Sequence, residues 1–148
     1  MLLADGIRIK LQHLDRTLEE LRERAMLPLE EFAQSRDRVL ATERLCQVAV
    51  DCAVDTCQLI LELEERVPPA STKRIIEEVN QMGIIGGAVW AVLDDYIEVR
   101  NEIVHEYELT TAQRDHKEAR GLVDKLPEFI REVEAYLIRK EAAESSSD

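Results

Sequence analysis

The chain has 148 residues, room for one compact domain and too few for two. Only five glycines and four prolines, with 4% aromatic residues, exclude a β-sandwich or barrel, which needs a chain reversal every few residues. A formal net charge of -12 excludes broad nucleic-acid coating, since neutralising phosphates takes clustered Lys and Arg. It leaves room for a local basic cleft, because screening limits distant charges to about 10 Å at moderate salt, and it suits a protein held by a basic partner.

Helical periodicity runs through five segments. In the first, about Leu3 to Met26, Ile7, Leu11, Leu14, Leu18 and Leu21 alternate spacings of four and three, and Pro28 ends it. Glu30-Glu31-Phe32 is at most a single turn, and Ser35 or Asp37 is placed to cap the second helix, about Arg36 to Arg66. Two apolar rows run down that helix, Cys46, Val50, Ala53, Cys57 and Ile60 beside Leu45, Ala49, Cys52, Leu59 and Leu63. So broad an apolar face predicts the centre of a bundle. The third face carries Arg44, Gln47, Asp51, Asp55, Gln58 and Glu62. A solvated stripe is the expectation there, ahead of a polar wall beside a cleft or a dimer contact.

Pro68-Pro69 stops the second helix, and Ser71 or Thr72 starts a third that ends near Met82. Gly83, Gly86 and Gly87 permit a tight corner. The fourth helix repeats as Ile85, Val89, Val92, Tyr96, Val99 and Ile103, with Trp90 and Tyr96 expected in the core or a dimer interface. After a turn around Leu109-Thr110-Thr111, the last helix runs from about Ala112 to Lys140 on Leu122, Leu126, Phe129 or Ile130, Val133 and Leu137. Pro127 is expected to kink or break it near Lys125. Residues 141–148 are acidic and serine-rich, and are expected to be a disordered tail outside a single helical domain of residues 1–140. The predicted architecture is all-α, a four- to five-helix up-and-down bundle with short, mostly antiparallel connections.

Cys46, Cys52 and Cys57 fall on different faces of one helix and are expected to be buried free thiols in a reducing cytoplasm. The start has no basic-then-apolar signal layout, and no apolar run reaches the roughly eighteen residues of a membrane span. The expected location is cytoplasmic. His13 and His116 sit among polar residues and are expected at the surface.

The fourth helix closes on Arg100-Asn101-Glu102-Ile103-Val104-His105-Glu106-Tyr107. Asn101 and His105, four apart, stack on one helical face, close enough for the amide to hold an imidazole nitrogen. Arg100 and His105 are five apart, about 140° around and about 7.5 Å along an ideal helix. They reach one small group only if the arginine extends forward, the helix loosens, or a two-fold dimer sets two copies around one cleft. These residue types suit cleavage of an RNA phosphodiester. An imidazole takes the 2′-hydroxyl proton or an imidazolium protonates the leaving 5′-oxygen, while a guanidinium steadies the charged phosphorane. Such chemistry requires no metal and no cofactor. Glu102, Glu106 and Glu108 add negative charge to the motif. Relief is expected from Arg36, Arg38 and Arg44 or from Arg114, Lys117 and Arg120.

The combination R-N-x-x-x-H-x-Y at the end of the fourth segment of a small helical protein resembles the HEPN superfamily, and within it the HepT-like toxins. Residues 37–49 are similar to that family's second-helix stretch, as is the Gly83-Ile84-Ile85 corner. The likeness spans about Leu3 to Leu137. It implies a HEPN-like bundle that acts as a homodimer and a metal-independent ribonuclease, the toxin of a type II/VII-like toxin–antitoxin pair. By position, Arg100 is the phosphate-stabilising arginine, His105 the general acid/base and Asn101 the polar residue that follows the arginine. Tyr107 matches the tyrosine to which an MNT-type nucleotidyltransferase antitoxin transfers AMP, and an anionic adenylate there would fill the cleft and repel RNA. Two other readings compete, a HEPN-like binding module of little activity that partners a nucleotidyltransferase, and a helical dimerisation protein in which the motif is coincidence.

Overall fold

The computed structural model describes residues 2–101 and 111–146. Among these residues every regular element is helical, in the order α1 (Leu2–Ala25), α2 (Leu29–Ala33), α3 (Arg36–Leu63), α4 (Thr72–Gln81), α5 (Gly87–Asn101) and α6 (Thr111–Ser146). The Glu30-Glu31-Phe32 turn is the short α2, whose Phe32 is fully buried.

α1 buries the row read from the sequence, Ile7, Leu11, Leu14, Leu18 and Leu21. α3 is the central helix, touching α1, α2, α4 and α6, and Cys46, Val50, Ala53, Cys57 and Ile60 are all buried along it. Its N-terminus is closed by Ser35, whose hydroxyl oxygen accepts the Arg38 N–H at 3.2 Å; Ser71 does the same for α4, accepting from Arg74 at 3.4 Å.

Side-chain pairs fix the directions. Lys10 meets Asp55 at 3.2 Å and Gly6 lies beside Leu59, so α1 and α3 are antiparallel. α6 runs back along α1, from His116 at Leu27 to the ion pair of Glu141 with Arg8. It is antiparallel to α5 as well, with Gly86 facing Glu132 and Arg100 facing Glu118. Against α3 it is parallel, with Arg114 near Glu43 and Lys140 near Glu64.

Two helices end in the same motif. At α4 the Ile84 N–H donates to Val79 O (3.2 Å) and Gly83, at φ 76°, donates to Asn80 O (2.9 Å). At α3 the Arg66 N–H donates to Leu61 O (2.8 Å) and Glu65, at φ 59°, donates to Glu62 O (3.0 Å). This reversal uses up orphan carbonyls and needs a left-handed residue. It also stops α3 at Leu63, short of the Arg66 expected from periodicity.

Three expectations are corrected. Pro127 does not break the last helix, which is assigned as one element from Thr111 to Ser146. A proline forfeits one backbone bond, but here Leu122, Leu126, Phe129 and Val133 are all buried on both sides of it, and their packing keeps the helix continuous through it. The segment expected as a disordered tail is helical as far as Ser146, and Glu141 within it is paired with Arg8. His116 is not a surface residue. It is buried, its ring lies 5.1 Å from that of Phe32, and its Nε2–H donates to Leu27 O at 2.7 Å. One turn on, Arg120 Nε donates to Ala25 O at 3.0 Å. Together they serve carbonyls at the end of α1 that no later turn can satisfy.

Among the described residues no helix is long and apolar enough to cross a membrane. Cys46, Cys52 and Cys57 are buried and unbridged. Burial pushes all three thiols up, Cys57 to about 12, which makes them poor nucleophiles.

Candidate active site

Arg100 lies in the last turn of α5, where its backbone is fixed by Tyr96 and Ile97, both buried in the core. Its guanidinium is held from three sides. Nη1 donates to Glu43 Oε1 of α3 at 3.2 Å and Nη2 donates to Glu118 Oε2 of α6 at 3.0 Å. Asp115 Oδ1 lies 3.7 Å from Nη2, and the Tyr96 ring lies beneath, 5.0 Å from the guanidinium carbon. Arg114 joins the group, with Nε 3.7 Å from Asp115 Oδ1 and Nη2 4.0 Å from Glu43 Oε2. Three carboxylates thus face two guanidiniums.

Burial dominates the electrostatics of this group. It pushes the fully buried Asp115 up to about 7, with the Glu43 carboxylate adding to the rise and Arg114 opposing it. Burial likewise raises Glu118, against the pull of Arg100 and Arg114. Burial works against the charge of Arg100, yet the carboxylate of Glu118, with Tyr96 and Glu43, more than offsets it and leaves Arg100 above its ordinary value. The Tyr96 phenol is pushed up to about 12, again by burial. Among the described residues no three His, Cys, Asp or Glu side chains are grouped to hold a metal ion.

Arg100, Tyr96 and Ile97 form one end of an open cleft of about 1050 Å³. Its long wall is α3, with Glu43, Gln47, Asp51, Asp55 and Gln58; the opposite side is the Pro69–Lys73 segment. The polar face of α3 is exposed at all six residues, as the expected solvated stripe, and four of them, Gln47, Asp51, Asp55 and Gln58, also line the open cleft. Burial and the neighbouring Asp55 raise the Asp51 carboxyl. Lys73, across the cleft, is neutralised by Asp94 (3.4 Å) and Glu98 (2.5 Å).

Of the residues singled out from sequence, Arg100 is placed at the cleft and Asn101 is the last residue of α5. His105 and Tyr107 lie outside the described residues, as do Glu102, Glu106 and Glu108. The expected basic relief divides: Arg114 sits at the cluster, while Arg38 donates to Glu31 O (2.7 Å) and Arg120 to Ala25 O. Sequence reading missed Glu43, Asp115 and Glu118. The four-residue spacing of Arg114 and Glu118 on α6 was one available signal; the approach of Glu118 to Arg100 is a tertiary contact with no local mark.

The fold and this site define a class, a small helical bundle that presents one carboxylate-gripped arginine at the mouth of a polar cleft. The sequence profile of the family described as "Ribonuclease HepT-like" matches residues 14–134, and the chain belongs to that family. It is similar to the "tRNA nuclease HepT" of Aphanizomenon flos-aquae (strain 2012/KM1/D3), with 23% identity over 135 residues that cover 91% of this chain and 92% of the relative. Among solved structures it resembles the cytosolic protein of unknown function YutE from Bacillus subtilis, with a TM-score of 0.74 and 18% identity over 92% of this chain and 91% of that one. That last likeness concerns the fold alone. The HEPN and HepT-like resemblance read from the motif is borne out.

Proposed function

We propose that the chain is the toxin of a toxin–antitoxin pair, a ribonuclease that cuts tRNA or mRNA without a metal ion. The observation that carries this reading is the family match across residues 14–134 together with Arg100 standing at the cleft at the end of α5. The relative named a tRNA nuclease supports tRNA as the first substrate to test. In this reading the Arg100 guanidinium donates to the non-bridging oxygens of the phosphorane, where negative charge grows in the transition state. His105 takes the 2′-hydroxyl proton and returns a proton to the departing 5′-oxygen, a role usually worth about a hundred- to ten-thousand-fold in rate. Asn101 orients the imidazole. Two copies form a homodimer whose paired motifs line one groove, and the protein works in the cytoplasm. An MNT-type nucleotidyltransferase antitoxin neutralises it and adds AMP to Tyr107, which places an anion where the RNA backbone would lie.

One observation favours a second reading, that of a weakly active binding module. Glu43, Asp115 and Glu118 already neutralise the Arg100 charge that a phosphate would need.

Incubating purified protein with bulk tRNA in EDTA decides between them. Cleavage that survives chelation and vanishes in His105→Ala and in Arg100→Ala is the expected result. No cleavage at any enzyme concentration would leave the binding module. Mass spectrometry after co-expression with a nucleotidyltransferase antitoxin tests the switch: Tyr107 is expected to gain AMP, and an unmodified tyrosine in neutralised cells removes that part.

A further inference from the structure

We infer that Glu43 and Glu118 are positioning residues for Arg100: carboxylates from two different helices grip its two terminal nitrogens and fix where the guanidinium meets a phosphate. The inference rests on the reading that Arg100 contacts RNA, and it adds the groups that hold it there.

A free arginine side chain carries about 2 kcal/mol of rotamer entropy, and a group that must meet one transition state has to be held within roughly 0.5 Å. Arg100 has a long, flexible side chain, and the backbone of α5 fixes only its Cα. Four contacts do the rest: Glu43 on Nη1, Glu118 on Nη2, Asp115 behind Nη2 and the Tyr96 ring below. They come from α3, α5 and α6, so the guanidinium cannot turn without breaking a contact to a separate element. With the Arg100 side chain 20% exposed and that of Glu118 9%, water screens this grip poorly.

The alternative is that the same contacts silence the arginine. Two features argue for positioning over silencing. Arg114 lies within 4.0 Å of Glu43 and 3.7 Å of Asp115, so the carboxylates are shared and their field at Arg100 is diluted. A guanidinium also has five N–H donors, and the two hydrogen bonds engage one donor on each terminal nitrogen. Nε is buried without a hydrogen-bond partner among the described residues, so the free donors are the second N–H on each terminal nitrogen, and Arg100 lines the open cleft with Tyr96 and Glu43.

Steady-state cleavage of tRNA by wild type, Glu118→Ala, Glu43→Ala and Glu118→Gln provides the first test. Loss of the Glu118 grip should lower kcat by about 10- to 100-fold with little change in KM. Glu118→Gln, which keeps an acceptor of the same shape, should recover part of that loss. Far-UV circular dichroism should show Glu118→Ala as helical as wild type at the assay temperature, which a general loss of folding would not reproduce. A rise in kcat in either alanine variant overturns the inference and makes the carboxylates a brake; an unchanged kcat overturns it too. The second test needs no activity. Arginine 15N NMR of the full chain should give distinct, slowly exchanging Nη signals for Arg100 that merge in Glu118→Ala. Averaged signals in wild type refute the grip even if RNA is cut. Distinct signals in a wild type that cuts no RNA locate the failure in the ribonuclease reading instead.

Discussion

The guanidinium carbon of Arg100 lies 5.0 Å from the centroid of the Tyr96 ring, four residues earlier on α5. The ring is buried, and among the described residues its hydroxyl forms no hydrogen bond of ordinary geometry, although Arg100 is close enough to act on it electrostatically. The aromatic face therefore matters more than the oxygen. Tyr96→Phe should leave stability within about 1 kcal/mol of wild type, since it removes an unpaired buried hydroxyl. Tyr96→Leu should cost about 1–3 kcal/mol through lost packing and the lost cation–π contact. Urea unfolding measures both, and equal damage from the two would show that the hydroxyl carries the effect.

Asp115 should make stability depend on pH in an unusual direction. Its carboxyl is raised from 3.8 to about 7, chiefly by burial and then by Glu43. Between those values the folded chain holds a proton that the unfolded chain has released, so this contribution to stability falls as pH rises through the window. Asparagine cannot ionise, and without the third carboxylate Glu43 and Glu118 balance Arg100 and Arg114. Asp115→Asn should therefore gain on wild type by at least ~1 kcal/mol between pH 5 and pH 8, read as a difference in Tm at each pH. A difference, variant minus wild type, that stays flat or falls as pH rises would contradict it.

Glu65 and Gly83 occupy equivalent left-handed positions at the ends of α3 and α4, at φ 59° and φ 76°. A side chain in that conformation costs about 1–2 kcal/mol, whereas glycine gives up about 0.5–1 kcal/mol through its freedom when unfolded. Glu65→Gly should thus raise Tm slightly, and Gly83→Ala should lower it by a few degrees. Open space surrounds a Cβ at Gly83, so its cost is conformational. Calorimetry of the pair should give opposite signs.

Glu132 ties the corner before α5 to α6, accepting the Gly86 N–H at 3.0 Å. Removing a charged acceptor from a part-buried amide costs about 1–3 kcal/mol. Glu132→Ala should show that loss, together with faster hydrogen exchange at Gly86 than at the start of α4.

Most of this fold was legible because helices announce themselves by period. The rows of α1, α3 and the last helix matched the buried faces, and Ser35 and Ser71 proved to be caps. Local rules failed where distant packing prevailed: at Pro127, spanned by buried neighbours, and at His116, whose polar surroundings in sequence hid the Leu27 carbonyl just past α1 that it serves. The candidate site was half legible. Arg100 was visible as part of a motif, but Glu43, Asp115 and Glu118 reach it from other helices, and their residue type alone looked like ordinary surface charge.

The arrangement of α6 has a consequence for biosynthesis. Asp115, Glu118 and Arg114 are translated after α1, α3 and α5, and Glu141 meets Arg8 across nearly the whole chain. A nascent chain whose final helix is still within the ribosome has Arg100 without two of its three carboxylates, and an α1 with one flank uncovered. Assembly of the cluster is therefore a late event, which separates the synthesis of the motif from its completion.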